Sequence, residues 1–251
     1  MTLTLYAHRL SQPCRAVEIL LRELGVDYNW QEIDFAGGET RQQWFAREIN
    51  PMQTVPALAV SDPAGASGAF VLAESHAIMR YLCRTAASEA APHWYPDRDD
   101  AARAARIDQW MAWHHNNVRR HDMFHHIMNL HRTLPMLKYE IQNTLLRPLQ
   151  AGLNAGLARL EAHLARPTRQ ETQAMLCGHE QPTLADLTIA CELYQIVAVG
   201  YRFNRYPRVA SWLDTLAARP HFRDISAEIR DQGRIIHDDS GGYLELEQAF
   251  A

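Results

Sequence analysis

Cysteine is scarce. Four occur in 251 residues, Cys14, Cys83, Cys177 and Cys191, and none stands at the spacing of a metal knuckle or a disulfide scaffold, which excludes both as the source of the fold. Charge of one sign is scarce too. The net charge is −4 with 13 histidines uncounted, and neither sign gathers into a patch, so a nucleic acid or a membrane surface is excluded as the main partner. No apolar run approaches the roughly 18 residues that a membrane span needs. No basic-then-apolar segment precedes the first strand pattern, and a reducing cytoplasm is the expected compartment. Also missing are an HExxH arrangement and the first cysteine of a Cys-x-x-Cys pair. The chain is long enough for one large or two unequal domains with real cores.

What is present begins with Leu3 to Tyr6, a strand pattern, followed by Ala7-His8-Arg9-Leu10-Ser11-Gln12-Pro13-Cys14-Arg15. Pro13 suits the first turn of a helix, and Val17, Leu20, Leu21 and Leu24 recur at helical spacing. A hydroxyl therefore sits just ahead of a helix N-terminus, where unpaired N–H groups and the helix dipole favour negative charge. Taken alone, Ser11 or Gln12 reads first as a helix cap. Tyr28 to Asp34 alternates as a strand, Glu39 to Glu48 predicts a short helix burying Trp44 and Phe45, and Val55 to Val60 is a strand entered through prolines. Phe70 to Ala73 is its partner, and Glu74-Ser75 opens a helix with Ile78, Met79, Tyr81 and Leu82 on its core face. The order is β-α-β-α-β-β-α.

Residues Thr85 to Asp100 carry no periodicity and mark a linker. Beyond it the pattern is helical throughout: Asp99 to about His126, Met136 to Leu164, Leu184 to Val199, Arg208 to Ala218, and short pieces from Pro220 to Gln232. Thr183-Leu184-Ala185-Asp186 has the form of a capping box, a structural device. Three histidines, His114, His121 and His125, share a helical face, but the nearby Asp122 points off it, so a polar cleft lining or a solvated face is expected there and no metal. Trp110 and Trp113 read as core and domain-interface packing. The last twenty residues, with Gly241-Gly242, read as a mobile tail or a flap.

Several words in this order resemble the theta class of glutathione transferases. They are Ser11-Gln12-Pro13-Cys14-Arg15-Ala16-Val17, Asn50-Pro51 with Val55-Pro56-Ala57-Leu58, Glu74-Ser75-His76-Ala77-Ile78, His93-Trp94-Tyr95-Pro96, Ala105 to His114, and Pro182 to Asp186. The resemblance covers residues 3 to about 225. It implies a thioredoxin-like domain over 1–86, a linker over 87–99 and an all-helical domain over 100–251 whose C-terminal segment covers the site. The implied activity is conjugation of glutathione to small electrophiles, or peroxide reduction, by a cytoplasmic homodimer with glutathione as cosubstrate and no metal.

The resemblance also implies site residues. Ser11 would donate to the glutathione sulfur. An unperturbed thiol has a pKa of about 8.5, and lowering it by about two units requires roughly 2.7 kcal/mol. One hydrogen bond to a charged acceptor, about 1.5–3 kcal/mol, plus a helix-end contribution can supply that. The Val55 peptide would pair with the cysteinyl backbone, with Pro56 as a cis peptide, and Glu74 and Ser75 would take the γ-glutamyl end. Gln12 and Asp108 of the partner subunit complete the set. Two departures stand at the glycyl end, where Thr40 follows Gly38-Glu39 and Thr54 precedes Val55-Pro56; Arg41 is the substitute contact. The rival readings are a noncatalytic binding module of the same fold and a thiol transferase using Cys14. A packing role for Cys14 is favoured, since free cysteine is commonly buried.

Overall fold

The computed structural model describes residues 2–35, 37–61, 70–96, 99–122, 147–166, 175–178, 180–198 and 200–239. The chain divides into two compact units, Met1–Ala104 and Ala105–Ala251.

The first unit is built on a four-stranded sheet in the order β2-β1-β3-β4. Strand β1 (Thr2–Ala7) pairs in parallel with β2 (Asn29–Glu32) across helix α1 (Gln12–Glu23). It pairs antiparallel with β3 (Ala57–Ser61), which in turn pairs antiparallel with β4 (Phe70–Ala73). This is the mixed sheet expected of a thioredoxin-like domain. Strand alternation sends Leu3, Leu5 and Ala7 inward, while Leu58 lies opposite Leu5 in the β1–β3 register. Helix α1 closes the core with Val17, Leu20 and Leu21, all fully buried. It also packs on helix α2 (Ser75–Thr85), which buries Ile78, Met79 and Leu82.

Two expectations are corrected here. Glu39 to Glu48 is not one helix; it is a 3₁₀ turn (Glu39–Arg41) followed by a π-type turn (Phe45–Ile49). Phe45 is buried as expected, but Trp44 is half-exposed. Within the region read as unpatterned linker, residues Ala91–Trp94 form a one-turn helix, α3. It buries Trp94 and is followed by the buried Tyr95.

The second unit is helical. Helix α4 (Ala101–Asn117) ends well short of His126, in a 3₁₀ turn at Arg119–His121. Helix α5 (Arg147–Leu164) begins the next described stretch; His125, His126, His131 and residues 136–146 lie outside the described residues. Helix α6 (Leu184–Ala198) is buried along almost its whole length. Helices α7 (Pro207–Ala217), α8 (Pro220–Ile225) and α9 (Ala227–Asp239) follow, with α7 and α9 packed on α6.

The tail expectation needs revision as far as residue 239. Residues 232–239 belong to α9, which buries Ile229 and Ile236. Gly233 lies where an added methyl would collide with the carbonyl oxygen of Ala198, so glycine permits the close crossing of α9 over α6. Removing residues 233–251 therefore removes packed core, and such a truncation lowers stability where a lid alone would not. Residues 240–251, with Gly241-Gly242, lie outside the described residues. Among the described residues no helix is long and apolar enough to cross a membrane.

Candidate functional site

The residues singled out in the first unit lie on loops and helix starts next to the sheet strands. Ser11 occupies the N-cap position of α1, with φ −82° and ψ 120°. Its backbone N–H donates to the His8 carbonyl at 2.9 Å, and its carbonyl accepts the Arg15 N–H at 3.0 Å. Its hydroxyl makes no capping bond. A serine at this position ordinarily bonds the N–H groups of the first turn. Here the half-exposed hydroxyl is left available to another acceptor. Gln12 is buried at the first helical position.

Buried charges on α1 brace the loop that delivers Ser11. The Arg15 guanidinium, fully buried, donates through Nη1 to the carbonyls of Arg9 (2.9 Å) and Leu10 (3.2 Å). Glu18, also fully buried, accepts two bonds from Arg9, at 2.8 and 3.0 Å, and further bonds from Arg22 and the Tyr28 hydroxyl. Burial pushes the Tyr28 phenol above its ordinary value. Sequence reasoning passed over Arg15 and Glu18. Their signal was two opposite charges three residues apart in a helix with an apolar face.

The second element is the loop into β3. The Val55–Pro56 peptide is cis, as the resemblance implied. Val55 precedes the first β3 pair, and its peptide makes no backbone hydrogen bond among the described residues. Asn50, 1% exposed, holds this loop. Its amide Nδ2 donates to the Thr54 carbonyl (2.9 Å) and hydroxyl oxygen (3.0 Å), and its Oδ1 accepts the Met52 N–H (3.0 Å). Thr54 is thus exposed, with its hydroxyl oxygen already accepting a bond. Asn50 was quoted as part of a motif but given no role; the structure gives it the role of a loop clamp.

Glu74 is the third element. It has φ 68°, ψ 109°, a positive-φ conformation that costs a side-chain-bearing residue on the order of 1–3 kcal/mol. Its carbonyl accepts the Ile78 N–H at 2.9 Å to start α2, but its side chain makes no capping bond. The exposed Glu74 carboxylate and the half-buried Ser75 therefore stand beside a helix N-terminus with no internal partner among the described residues. Of the residues considered for the glycyl end, Thr40 is only 3% exposed, whereas Thr54 and the substitute Arg41 are exposed. Asp108 lies half-buried on α4 of the second unit.

Cys14 is fully buried. The other three cysteines are buried and, like Cys14, form no disulfide, and burial pushes the Cys83 thiol up to about 12. None presents an accessible thiolate.

In the second unit two buried polar groups, at Asp186 and at Glu192, are engaged internally. Asp186 is fully buried and accepts from the Thr183 N–H and hydroxyl (2.8 Å each), the Leu176 N–H (2.8 Å) and the Trp212 indole (3.0 Å). Burial raises its carboxyl above the ordinary range, against the pull of those bonds. The structural reading of Thr183 and Asp186 thus holds: Asp186 accepts the Thr183 N–H as in a capping box, the Thr183 hydroxyl donates to the same carboxylate, and two further donors join them. His114 departs from the expected cleft lining or solvated face. It is buried, and its Nε2 lies 3.2 Å from Glu192 Oε2 on α6, an oxygen that Arg119 also approaches at 3.2 Å.

Comparison with known proteins gives a consistent family. Residues 5–90 match the model "Glutathione S-transferase, N-terminal domain" and residues 100–215 match "Glutathione S-transferase, C-terminal domain". The chain is 32% identical over 223 residues to glutathione S-transferase theta-1 of Bos taurus, covering 87% of this chain and 83% of that protein. It is 34% identical to theta-3 of Mus musculus over the same shares. Among solved structures it is similar to human glutathione-S-transferase T1-1 in its apo form, with TM-score 0.73, 26% identity, and coverage of 99% of this chain and 100% of that one. Human glutathione transferase theta-2, solved with glutathione and an unknown ligand, aligns with TM-score 0.70 at 28% identity over 98% and 90% of the two chains. With fold, loop geometry and these likenesses in agreement, the chain belongs to the glutathione transferase family, in its theta class.

Proposed function

We propose that this protein binds glutathione on its first unit and uses the Ser11 hydroxyl to hold the glutathione sulfur as a thiolate for attack on a small electrophile or a peroxide. The observation that carries the reading is the Ser11 hydroxyl, fixed at a helix N-terminus by two backbone bonds yet engaged in none of its own. A donor pre-positioned in this way stabilises charge that develops on the sulfur, without reorganising at the moment of reaction. The serine is not a nucleophile in this scheme. It donates its proton's hydrogen bond and keeps the proton.

The remaining residues position the tripeptide. The open Val55 peptide, before β3, offers an N–H and a carbonyl to the cysteinyl backbone in the manner of an added strand. Glu74 accepts from the γ-glutamyl ammonium while Ser75 and the α2 N-terminus donate to its carboxylate. Arg41, and not the buried Thr40, is the residue placed to meet the glycyl carboxylate. Gln12 and Thr54 take supporting roles, the latter limited by its bond from Asn50. Domain limits of 1–86 and 100–251, a cytoplasmic setting and a homodimer in which Asp108 serves the partner's site complete the reading.

The full burial of Cys14 weighs against the thiol-transferase alternative. The test is Ser11→Ala. Glutathione affinity should stay within a few-fold while kcat/KM falls tenfold or more, which is about 1.4 kcal/mol or more of transition-state stabilisation. Undiminished turnover in Ser11→Ala removes the serine from the mechanism. Loss of activity in Cys14→Ser with Ser11→Ala unaffected transfers it to the cysteine. Glutathione binding without turnover of any epoxide, alkyl halide, isothiocyanate or hydroperoxide leaves a binding module.

A further inference from the structure

The loop that delivers Ser11 also carries an imidazole, that of His8. Strands β1 and β2 run in parallel with Ala7 opposite Glu32, and the Ile33 N–H donates to the Ala7 carbonyl at 3.0 Å. His8, the residue after Ala7, and Glu32 therefore leave the sheet together at the carboxyl ends of these strands, the edge at which sheets of this kind bind ligands. The His8 carbonyl accepts the Ser11 N–H at 2.9 Å, which puts imidazole and hydroxyl on one turn.

The two side chains form a carboxylate–imidazole pair. His8 Nδ1 lies 2.6 Å from Glu32 Oε1. An ionised carboxylate only accepts hydrogen bonds, so Nδ1 carries the hydrogen and Nε2 is left with its lone pair. Glu32 is held from its other side, where Oε2 accepts the Trp30 indole N–H at 2.6 Å. Arg9 stacks on that indole, its guanidinium 4.7 Å from the ring centroid, and is itself anchored by two bonds to the buried Glu18. The charged groups around the imidazole are thus Glu32 on β2 and Arg9 on its own loop, and the charge of Arg9 is met by Glu18 of α1. The His8 side chain stays 24% exposed and makes no further bond among the described residues. It is a base with its second nitrogen open to whatever occupies that edge of the sheet.

We propose, resting on the glutathione reading above, that His8, oriented by Glu32, takes up the proton that glutathione gives up on becoming a thiolate and returns it to the oxygen that leaves the electrophile. When the S–H bond breaks, its electron pair stays on sulfur, where Ser11 donates to it, and the proton passes to His8 Nε2, directly or through one water. Glu32 and the thiolate, both negative, favour the imidazolium so formed. The sulfur pair then makes an S–C bond to an epoxide carbon or an S–O bond to a hydroperoxide oxygen. The C–O or O–O bond breaks, its pair goes to the departing oxygen, and the Nε2 proton joins it, which leaves an alcohol and a neutral imidazole. An alkyl halide departs as halide, which needs no proton. His8 thus separates electrophiles that release oxygen from those that release halide.

The test compares the full-length parent with His8→Gln and Glu32→Gln. Glu32 is exposed and His8 partly so, and far-ultraviolet circular dichroism checks the fold of both variants. In His8→Gln, kcat should fall about tenfold or more for an epoxide, 1,2-epoxy-3-(4-nitrophenoxy)propane, and for cumene hydroperoxide, and in Glu32→Gln about threefold or more. For an alkyl halide, 4-nitrobenzyl chloride, kcat should stay within about threefold in both variants. Calorimetric titration with glutathione at about pH 7.5, in buffers of different ionisation enthalpy, counts the protons lost on binding without any turnover. The parent should lose well under one per site and His8→Gln about one, with thiolate absorbance present in both complexes. A parent complex without thiolate absorbance would remove the glutathione reading, and the role of His8 with it. With thiolate present, equal losses for epoxide and halide, unchanged epoxide and hydroperoxide turnover in His8→Gln, or release of a full proton by the parent would each overturn the assignment of His8 while leaving that of Ser11 in place.

Discussion

Two of the helices that start from a hydroxyl, α6 and α1, use it differently. Thr183 opens α6 with its hydroxyl donating to Asp186 at 2.8 Å, in a setting closed to solvent. Ser11 opens α1 with no bond from its hydroxyl and with solvent at hand. The same contrast recurs between further groups of the two units. In the helical unit Asp186 collects four donors, and His114, Arg119 and Glu192 converge on one oxygen. Around the sheet, the Ser11 hydroxyl, the Val55 peptide and the Glu74 and Ser75 side chains are unengaged among the described residues. Groups whose hydrogen-bonding capacity is satisfied internally stabilise the fold. Groups held in place with that capacity left over are available to a ligand.

The largest effect that would sharpen this contrast is expected at Asp186. Its replacement by alanine strands four donors in the core and should cost about 3–5 kcal/mol of unfolding free energy, read by urea denaturation. A cost below about 1 kcal/mol would break the structural half of the comparison. Thr183→Ala removes one capping hydroxyl and should cost about 1–2 kcal/mol, with any loss of turnover tracking the unfolded fraction. Turnover lost at full stability would give Thr183 the kind of role assigned to Ser11.

Glu74 gives a smaller effect of opposite pattern. Glycine relieves the positive φ, so Glu74→Gly should be as stable as the parent or up to about 1 kcal/mol more stable. Glutathione affinity should nevertheless fall tenfold or more, by calorimetry. Retained affinity would make the strain at Glu74 a matter of chain path alone.

Local words in the sequence placed much of this. Ser11 before Pro13, Val55-Pro56 before a strand, and Glu74-Ser75 before an apolar helix are each read from neighbours along the chain, because turns and helix starts are local. Long-range pairings were not legible. His114 meets Glu192 from 78 positions away, so helical periodicity alone assigned the histidine to a cleft face. The loop clamp by Asn50 and the brace by Arg15 and Glu18 depend on side-chain reach across a folded turn, which spacing does not specify. Residues 232–239 read as tail because their polar flanks outweigh Ile236, and only the close approach to Ala198 at Gly233 shows them packed.

Whether the unengaged Ser11 hydroxyl lowers the pKa of bound glutathione is read from the ultraviolet thiolate absorbance of the binary complex as a function of pH. The thiol should titrate near pH 6.5 in the parent protein, about two units below the free value of about 8.5, and return most of the way to it in Ser11→Ala. Because a depressed thiol pKa favours the thiolate, the difference between the two proteins should be greatest between those values and vanish well above pH 9. Identical titration curves for parent and Ser11→Ala at saturating glutathione would contradict the claim.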